Sequence, residues 1–131
     1  MLINDVPVDC INKAAIEYQV PAALIISVLK TENGRVGQAN KNVNGTFDYG
    51  PMQINSIWLA KLRAAGYDVN AIQYDPCVNV MVGTWILSQS IAGESNLWSG
   101  VGDYHSHTYD ENMKYNNNVK STYNLLITYL D

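Results

Sequence analysis

Between Pro7 and Tyr18 the apolar residues Ile11, Ala14, Ala15 and Tyr18 recur at spacings of three and four, which places them on one face of a helix. Pro21 then suits the first turn of a second helix, PAALIISVLKTE, whose apolar character nearly all the way round predicts burial. That helix carries Glu32 at its far end, where Asn33-Gly34 supplies the stop. A carboxylate there meets the unfavourable end of the helix dipole and costs stability unless another requirement holds it in place. From Arg35 to Gly50 the helical period is lost. Asn44-Gly45 is a tight-turn signal, and Thr46-Phe47 and Tyr49 are strand-like flanks, so a short hairpin is expected. Helical spacing resumes in INSIWLAKLRAAG, with Asn55 or Ser56 as cap and Gly66 as stop. A long helix follows from Pro76 to Ala92, led by Asp75-Pro76 and carrying Val78, Met81, Val82, Trp85 and Ile86. A short helix from Leu97 to Tyr104 and a last one from Glu111 to Leu130 complete an α+β, mainly α pattern of five to six helices with one small β-hairpin insertion.

Composition narrows what such a chain does. At 131 residues it fits one domain, 1–131, able to bury one independent core. With 47% hydrophobic and 15% charged residues it has a globular balance. The net charge of −4 gives no basic face for phosphates, so nucleic acid is not an expected partner. No stretch of about 18 uninterrupted apolar residues exists, so no membrane span is expected. Asp5 and Asp9 stand where an export signal would carry positive charge before an apolar run; either no signal is needed or this is a mature segment with an added Met1. Cys10 and Cys77 permit one bridge, worth about 4 kcal/mol for a loop of that length, or are two buried thiols in a reducing compartment.

The irregular island NGTFDYGPMQINS, Asn44 to Ser56, concentrates turn-forming and hydrogen-bonding residues in an otherwise helical chain, and functional residues gather on such loops. Glu32 follows the apolar run LIISVLKT and should lie against hydrocarbon, which raises its pKa. Asp48, among Asn44, Thr46 and Tyr49, should stay ionised. Two carboxylates in contrasting environments are the requirement of glycoside cleavage, for which lysozyme is the standard worked case. Other constellations are weaker. His105 and His107 in HSH lack further ligands at metal spacing and read as surface or supporting residues. Of Trp58, Trp85 and Trp98, candidates for stacking on sugars, Trp85 lies on an apolar helix face and reads as core. Ser56 and Ser106 have no matching base.

TENG at 31–34, NKNVNG at 40–45 and TFDYGPMQINSIWL at 46–59 resemble the catalytic region shared by c-type lysozymes and the small lytic transglycosylases of the lysozyme-like superfamily. The second group fits the whole chain better: Glu32, GPMQI at 50–54, GVGDYHS at 100–106 and YNNNV at 115–119 stand in the order that family shows, and the likeness runs from about Val8 to Val119. The cysteines resemble those of small periplasmic members that accompany secretion, conjugation and pilus machines, which implies a Cys10–Cys77 disulfide and an extracytoplasmic place. Two departures stand out. Asn33 follows the acid where many of these enzymes have Ser, and Asp48 sits where c-type lysozymes place a second carboxylate that most transglycosylases lack.

The resemblance implies a lysozyme-like fold and cleavage of the β-1,4 bond between N-acetylmuramic acid and N-acetylglucosamine in peptidoglycan, with no cofactor and no metal. Glu32 and Asp48 are its expected catalytic residues. Tyr49, Met52, Gln53, Asn55, Tyr104 and Tyr115 are expected to meet the glycan; Met52 and Ile54 read equally as core, and Gln53 with Asn55 as loop braces. Products with a 1,6-anhydro ring are expected of a transglycosylase. A hydrolytic lysozyme and an inactive peptidoglycan-binding module remain alternatives. A secretion or conjugation component is the expected protein partner, since an acidic chain is poorly suited to finding walls by charge alone.

Overall fold

The computed structural model describes residues 1–130, and the side chains of residues 1–129. The chain opens with a small antiparallel pair, β1 (Leu2–Ile3) and β2 (Val6–Pro7), turned by Asn4 and Asp5 at φ 49° and 68°. Helices α1 (Val8–Tyr18) and α2 (Ala22–Glu32) follow. Next comes a three-stranded antiparallel sheet of β3 (Ala39–Lys41), β4 (Phe47–Tyr49) and β5 (Ile54–Asn55), in that spatial order. Helices α3 (Leu59–Ala64), α4 (Val69–Tyr74), α5 (Pro76–Ala92), α6 (Leu97–Asp103) and α7 (Tyr109–Leu130) complete the described chain. The architecture is α+β and mainly α, consistent with the lysozyme-like class.

Helix α5 is the central element, and the sequence accounts for it. Asp75 caps it by accepting from the Cys77 and Val78 N–H groups, and Pro76 occupies the first turn, where its missing N–H costs nothing. Beyond that turn Val80, Val82, Ile86 and Leu87 are all buried, and α5 packs against α1, α4 and α6. Helix α7 lies against α2 and α6. Cys10 on α1 and Cys77 on α5 form a disulfide with Cα atoms 5.3 Å apart across 67 residues of sequence.

Besides the β1–β2 pair, three features differ from the sequence expectation. The helix anticipated over INSIWLAKLRAAG is divided: Ile54–Asn55 pair with β4, Ser56–Trp58 form one 3-10 turn, and α-helix begins only at Leu59. The cause is Asn55, whose side chain both accepts from the Ile57 N–H and donates to Asp48 on β4, tying the start of the segment to the sheet. Helix α4 is additional; it is six residues long, under two turns, too short for periodicity to register, although Asp68 caps it through the Ala71 N–H. The expected hairpin gains a third strand and makes a small sheet.

The loop between β4 and β5 is anchored to α5 at two points. Asn79, fully buried, accepts from the Met52 N–H at 2.9 Å and donates to the carbonyls of Tyr49 at 3.0 Å and Ile72 at 2.9 Å. Gly50 beside it has φ +67°, and a Cβ there would strike the Asn79 amide, so backbone conformation and space both require glycine. One turn further, Gly83 leaves the space that the Met52 side chain fills. Asn79→Ala strands an N–H and two carbonyls away from water. The expected loss is about 3–5 kcal/mol in chemical denaturation, several times that of an exposed Asn→Ala change such as Asn70→Ala.

Candidate active site

The sheet on one side and the ends of α2, α5 and α6 on the other enclose a cleft of about 600 Å³. Glu32 reaches it because α2 stops there. Asn33 adopts the left-handed conformation at φ 54°, and its N–H closes the helix on the Leu29 carbonyl. Among the described residues the Glu32 carboxyl has one hydrogen-bond partner, the Tyr115 hydroxyl of α7, which donates to Oε2 at 2.7 Å. Its pKa is raised from 4.5 to about 7, chiefly by desolvation; the Tyr115 hydrogen bond pulls the other way, and the charge of Asp48 adds to the rise. Tyr104, whose hydroxyl donates to the Met52 carbonyl at 2.8 Å, is pushed well above 10 by burial and by the negative charges of Glu32 and Asp48.

Asp48 stands on β4 opposite Asn40 and Asn55, and Asn55 Nδ2 donates to it at 3.0 Å and to Thr46 Oγ1 at 3.1 Å. Its carboxylate is thus held by the sheet while Glu32 is held by helices. Gln53 sits at φ +53°, donates through Nε2 to the Gly50 carbonyl and accepts from Asn40 Nδ2 at 3.0 Å. A left-handed Gln is strained backbone, kept by those side-chain bonds.

The structure therefore brings Glu32, Asp48, Gln53, Asn55 and Tyr104 to one cleft. It separates three residues expected to meet the glycan. The Met52 side chain is fully buried against Gly83 and turns into the core, leaving only its carbonyl toward Tyr104. Tyr115 is 7% exposed and stands behind Glu32, touching the carboxyl without itself lining the cleft. Tyr49 packs on the core and against Phe47, ring centroids 6.2 Å apart, outside the lining. Strand alternation explains this last case, since Asp48 and Tyr49 point to opposite faces.

Other lining residues carried weak or no sequence signal. Trp58 lines the cleft and meets Trp85 edge to face at 5.9 Å. Gln89 and Ser90 break the apolar run of α5 at its end, a signal that the sequence did offer. Glu94 and Asp103 meet at the far end, where a hydrogen bond with Asp103 and then its charge raise the pKa of Glu94; His107 Nδ1 lies 3.2 Å from Asp103. His105, read in the sequence as a surface or supporting residue, lines the cleft and stacks on Tyr115. Among the described residues no group of three or more His, Cys, Asp or Glu is placed to hold a metal ion.

Comparison with known proteins gives this geometry a family. The model described as Transglycosylase SLT domain matches residues 9–126. The chain is 32% identical to Protein IpgF of Shigella flexneri over 107 residues, 81% of this chain and 70% of that protein. It is 31% identical over 107 residues to Invasion protein IagB of Salmonella typhimurium, covering 81% and 67%. A Peptidoglycan-binding-like protein of Escherichia coli O157:H7 is 29% identical over 113 residues, covering 80% and 68%.

The environment of Glu32 has a thermodynamic signature. Because its folded pKa of about 7 exceeds the ordinary 4.5, the folded chain binds this proton more tightly than the unfolded one. That stability is complete below about pH 4.5 and is lost as pH rises through about 7. Glu32→Gln cannot ionise, so its Tm relative to the native chain should climb between pH 5 and pH 8. A difference that stays constant across that range would show a carboxyl with an ordinary pKa.

Proposed function

The chain belongs to the transglycosylase SLT domain family, and from that premise we propose that Glu32 serves in turn as acid and base in glycan cleavage that forms 1,6-anhydromuramyl products. Membership makes it a peptidoglycan-cleaving enzyme, a lytic transglycosylase acting on glycan strands. The observation that supports Glu32 is the placement of its carboxyl, bonded by the Tyr115 hydroxyl and facing a 600 Å³ cleft, where desolvation raises its pKa to about 7.

The proposed course is as follows. Neutral Glu32 gives its proton to the oxygen linking N-acetylmuramic acid to the next sugar, and the bond from C1 to that oxygen breaks with its electron pair leaving on oxygen. Positive charge develops on the muramyl ring, facing a cleft lined by carboxylates without a Lys or Arg among the described residues. The ionised Glu32 then takes the proton of the C6 hydroxyl, and O6 closes on C1. No water is consumed, Glu32 regains its proton, and the internal nucleophile benefits from proximity. Gln53, Asn55 and Tyr104 orient the glycan or the loop that meets it.

Asp48 favours a second reading. Fixed by Asn55 in the same cleft, it supplies the second carboxylate of a hydrolytic lysozyme, with water in place of O6. The Cys10–Cys77 disulfide supports an extracytoplasmic setting. The likeness to Invasion protein IagB and the net charge of −4 support local action beside a secretion, conjugation or pilus assembly.

Mass spectrometry of fragments released from purified peptidoglycan separates these readings. The expected result is 1,6-anhydromuramyl ends, lost at least 100-fold in Glu32→Gln and kept within tenfold in Asp48→Asn. Fragments heavier by one water, lost equally in Asp48→Asn, indicate a lysozyme. Release that persists in Glu32→Gln removes Glu32 from the mechanism, and glycan binding without any release indicates a binding module.

A further inference from the structure

The hydroxyl that meets Glu32 belongs to a side chain whose orientation is set from one side by an imidazole. Helix α7 fixes where the Tyr115 Cα lies, but its ring must keep one rotation for the hydroxyl to reach Glu32 Oε2 at 2.7 Å. The His105 ring lies flat against that ring, centroids 4.9 Å apart and planes 8° from parallel. His105 is itself held at both ends. Its backbone N–H donates to the Gly102 carbonyl at 3.0 Å, and its Nε2 lies 3.7 Å from Glu111 Oε2, one helical turn before Tyr115 on α7. The imidazole is thus tied to the helix whose ring it covers. With its side chain 45% exposed at the cleft, His105 is no core filler; it covers one face of the Tyr115 ring where the cleft begins.

We propose that His105 is a positioning residue for Glu32, acting through Tyr115 by holding the phenol ring in the rotation that delivers its hydroxyl to the carboxyl. The proposal rests on the acid and base role given to Glu32 above. Its chemistry is that of a stacked cover: a parallel ring removes the space into which Tyr115 would swing and excludes water that would compete for its hydroxyl. The groups facing Glu32 are Asp48 from β4, Tyr104 at the end of α6 and Tyr115 from α7. Those facing His105 are Glu111 and Tyr115. Of these, Tyr115 faces both.

The test is a cycle of His105→Ala, Tyr115→Phe and the double variant, with His105→Phe as rescue and Glu32→Gln as reference. Turnover of purified glycan strands is followed across pH 5–9. Loss of a hydrogen bond to a charged group costs roughly tenfold, so His105→Ala should lower kcat by about that factor with KM nearly unchanged, and His105→Phe should recover most of it. The alkaline limb of kcat/KM should move to higher pH in Tyr115→Phe, because the bond favouring ionised Glu32 is gone. It should move the same way, by less, in His105→Ala. In the Tyr115→Phe background His105→Ala should add no further loss. Equal losses in both backgrounds, a change in KM alone, failure of Phe to rescue, or a limb moving to lower pH would each overturn the role of His105. Full turnover in Glu32→Gln would instead overturn the reading on which it rests.

Discussion

The cleft exists because one buried amide on α5 is fully used. Asn79 has no exposure and satisfies three backbone groups from three different segments: the carbonyl of Tyr49 at the end of β4, the N–H of Met52 in the following turn, and the carbonyl of Ile72 on α4. A turn as polar as Gly50–Gln53 would ordinarily remain at the surface, since its backbone groups need water. Here the amide stands in for water, and Met52 drops into the gap above Gly83 as an apolar anchor beside the polar one. With both anchors on one rigid helix, the sheet holding Asp48 keeps its place relative to the end of α2 holding Glu32. Gln53 absorbs the resulting strain at φ +53°.

The same framework leaves Glu32 in an environment that opposes its charge. Desolvation disfavours the carboxylate, the nearby Asp48 repels it, and the C-terminal end of α2 adds a dipole of the wrong sign. Against these stands, among the described residues, one hydrogen bond, from the Tyr115 hydroxyl. A carboxyl left without that donor would be pushed further up; one with an Arg or Lys neighbour would be pulled down and lost as an acid. The balance near pH 7 therefore follows from what the cleft withholds as much as from what it supplies. Since the penalty on the ionised form reduces folding stability at neutral pH, the apolar body of α2 and the disulfide between α1 and α5 offset a cost incurred at the site.

Much of this was legible in sequence where one local rule decides the outcome. Helix α5 spans Pro76–Ala92 as its Asp-Pro start and apolar run indicate, and α2 ends at Glu32 because Asn33 tolerates the left-handed cap. The contrast between an acid behind an apolar helix and another among amides was also readable. What escaped depends on competition between distant segments. Asn55 looked like a helix cap and is one, yet its other bond, to Asp48 seven residues earlier on β4, makes Ile54–Asn55 a strand first. Met52 and Gln53 are adjacent, and nothing local says that the first turns into the core while the second faces the cleft; Gly83 and Asn79, some thirty residues on, decide it. The two-residue strands β1 and β2 are too short for any period to register.

The cleft's electrostatics bear on why a single acid suffices in the proposed mechanism. Glu32, Asp48, Glu94 and Asp103 line it, with neither Lys nor Arg among the described residues that do. Desolvation first, and then the charge of Asp48 in a negative surround, keep Glu32 protonated before bond breakage, and that surround stabilises positive charge on the sugar as the bond opens. Once the proton has left, that surround makes the new carboxylate a stronger base, poised to take a proton from the nearest hydroxyl. One charge distribution thus serves both halves of the reaction, and the sequence of events needs no group to change its position. What selects between the sugar's own C6 hydroxyl and a water molecule is then access and not basicity. Access is governed by how tightly the walls formed by Gln53, Trp58, Tyr104 and His105 close around the substrate.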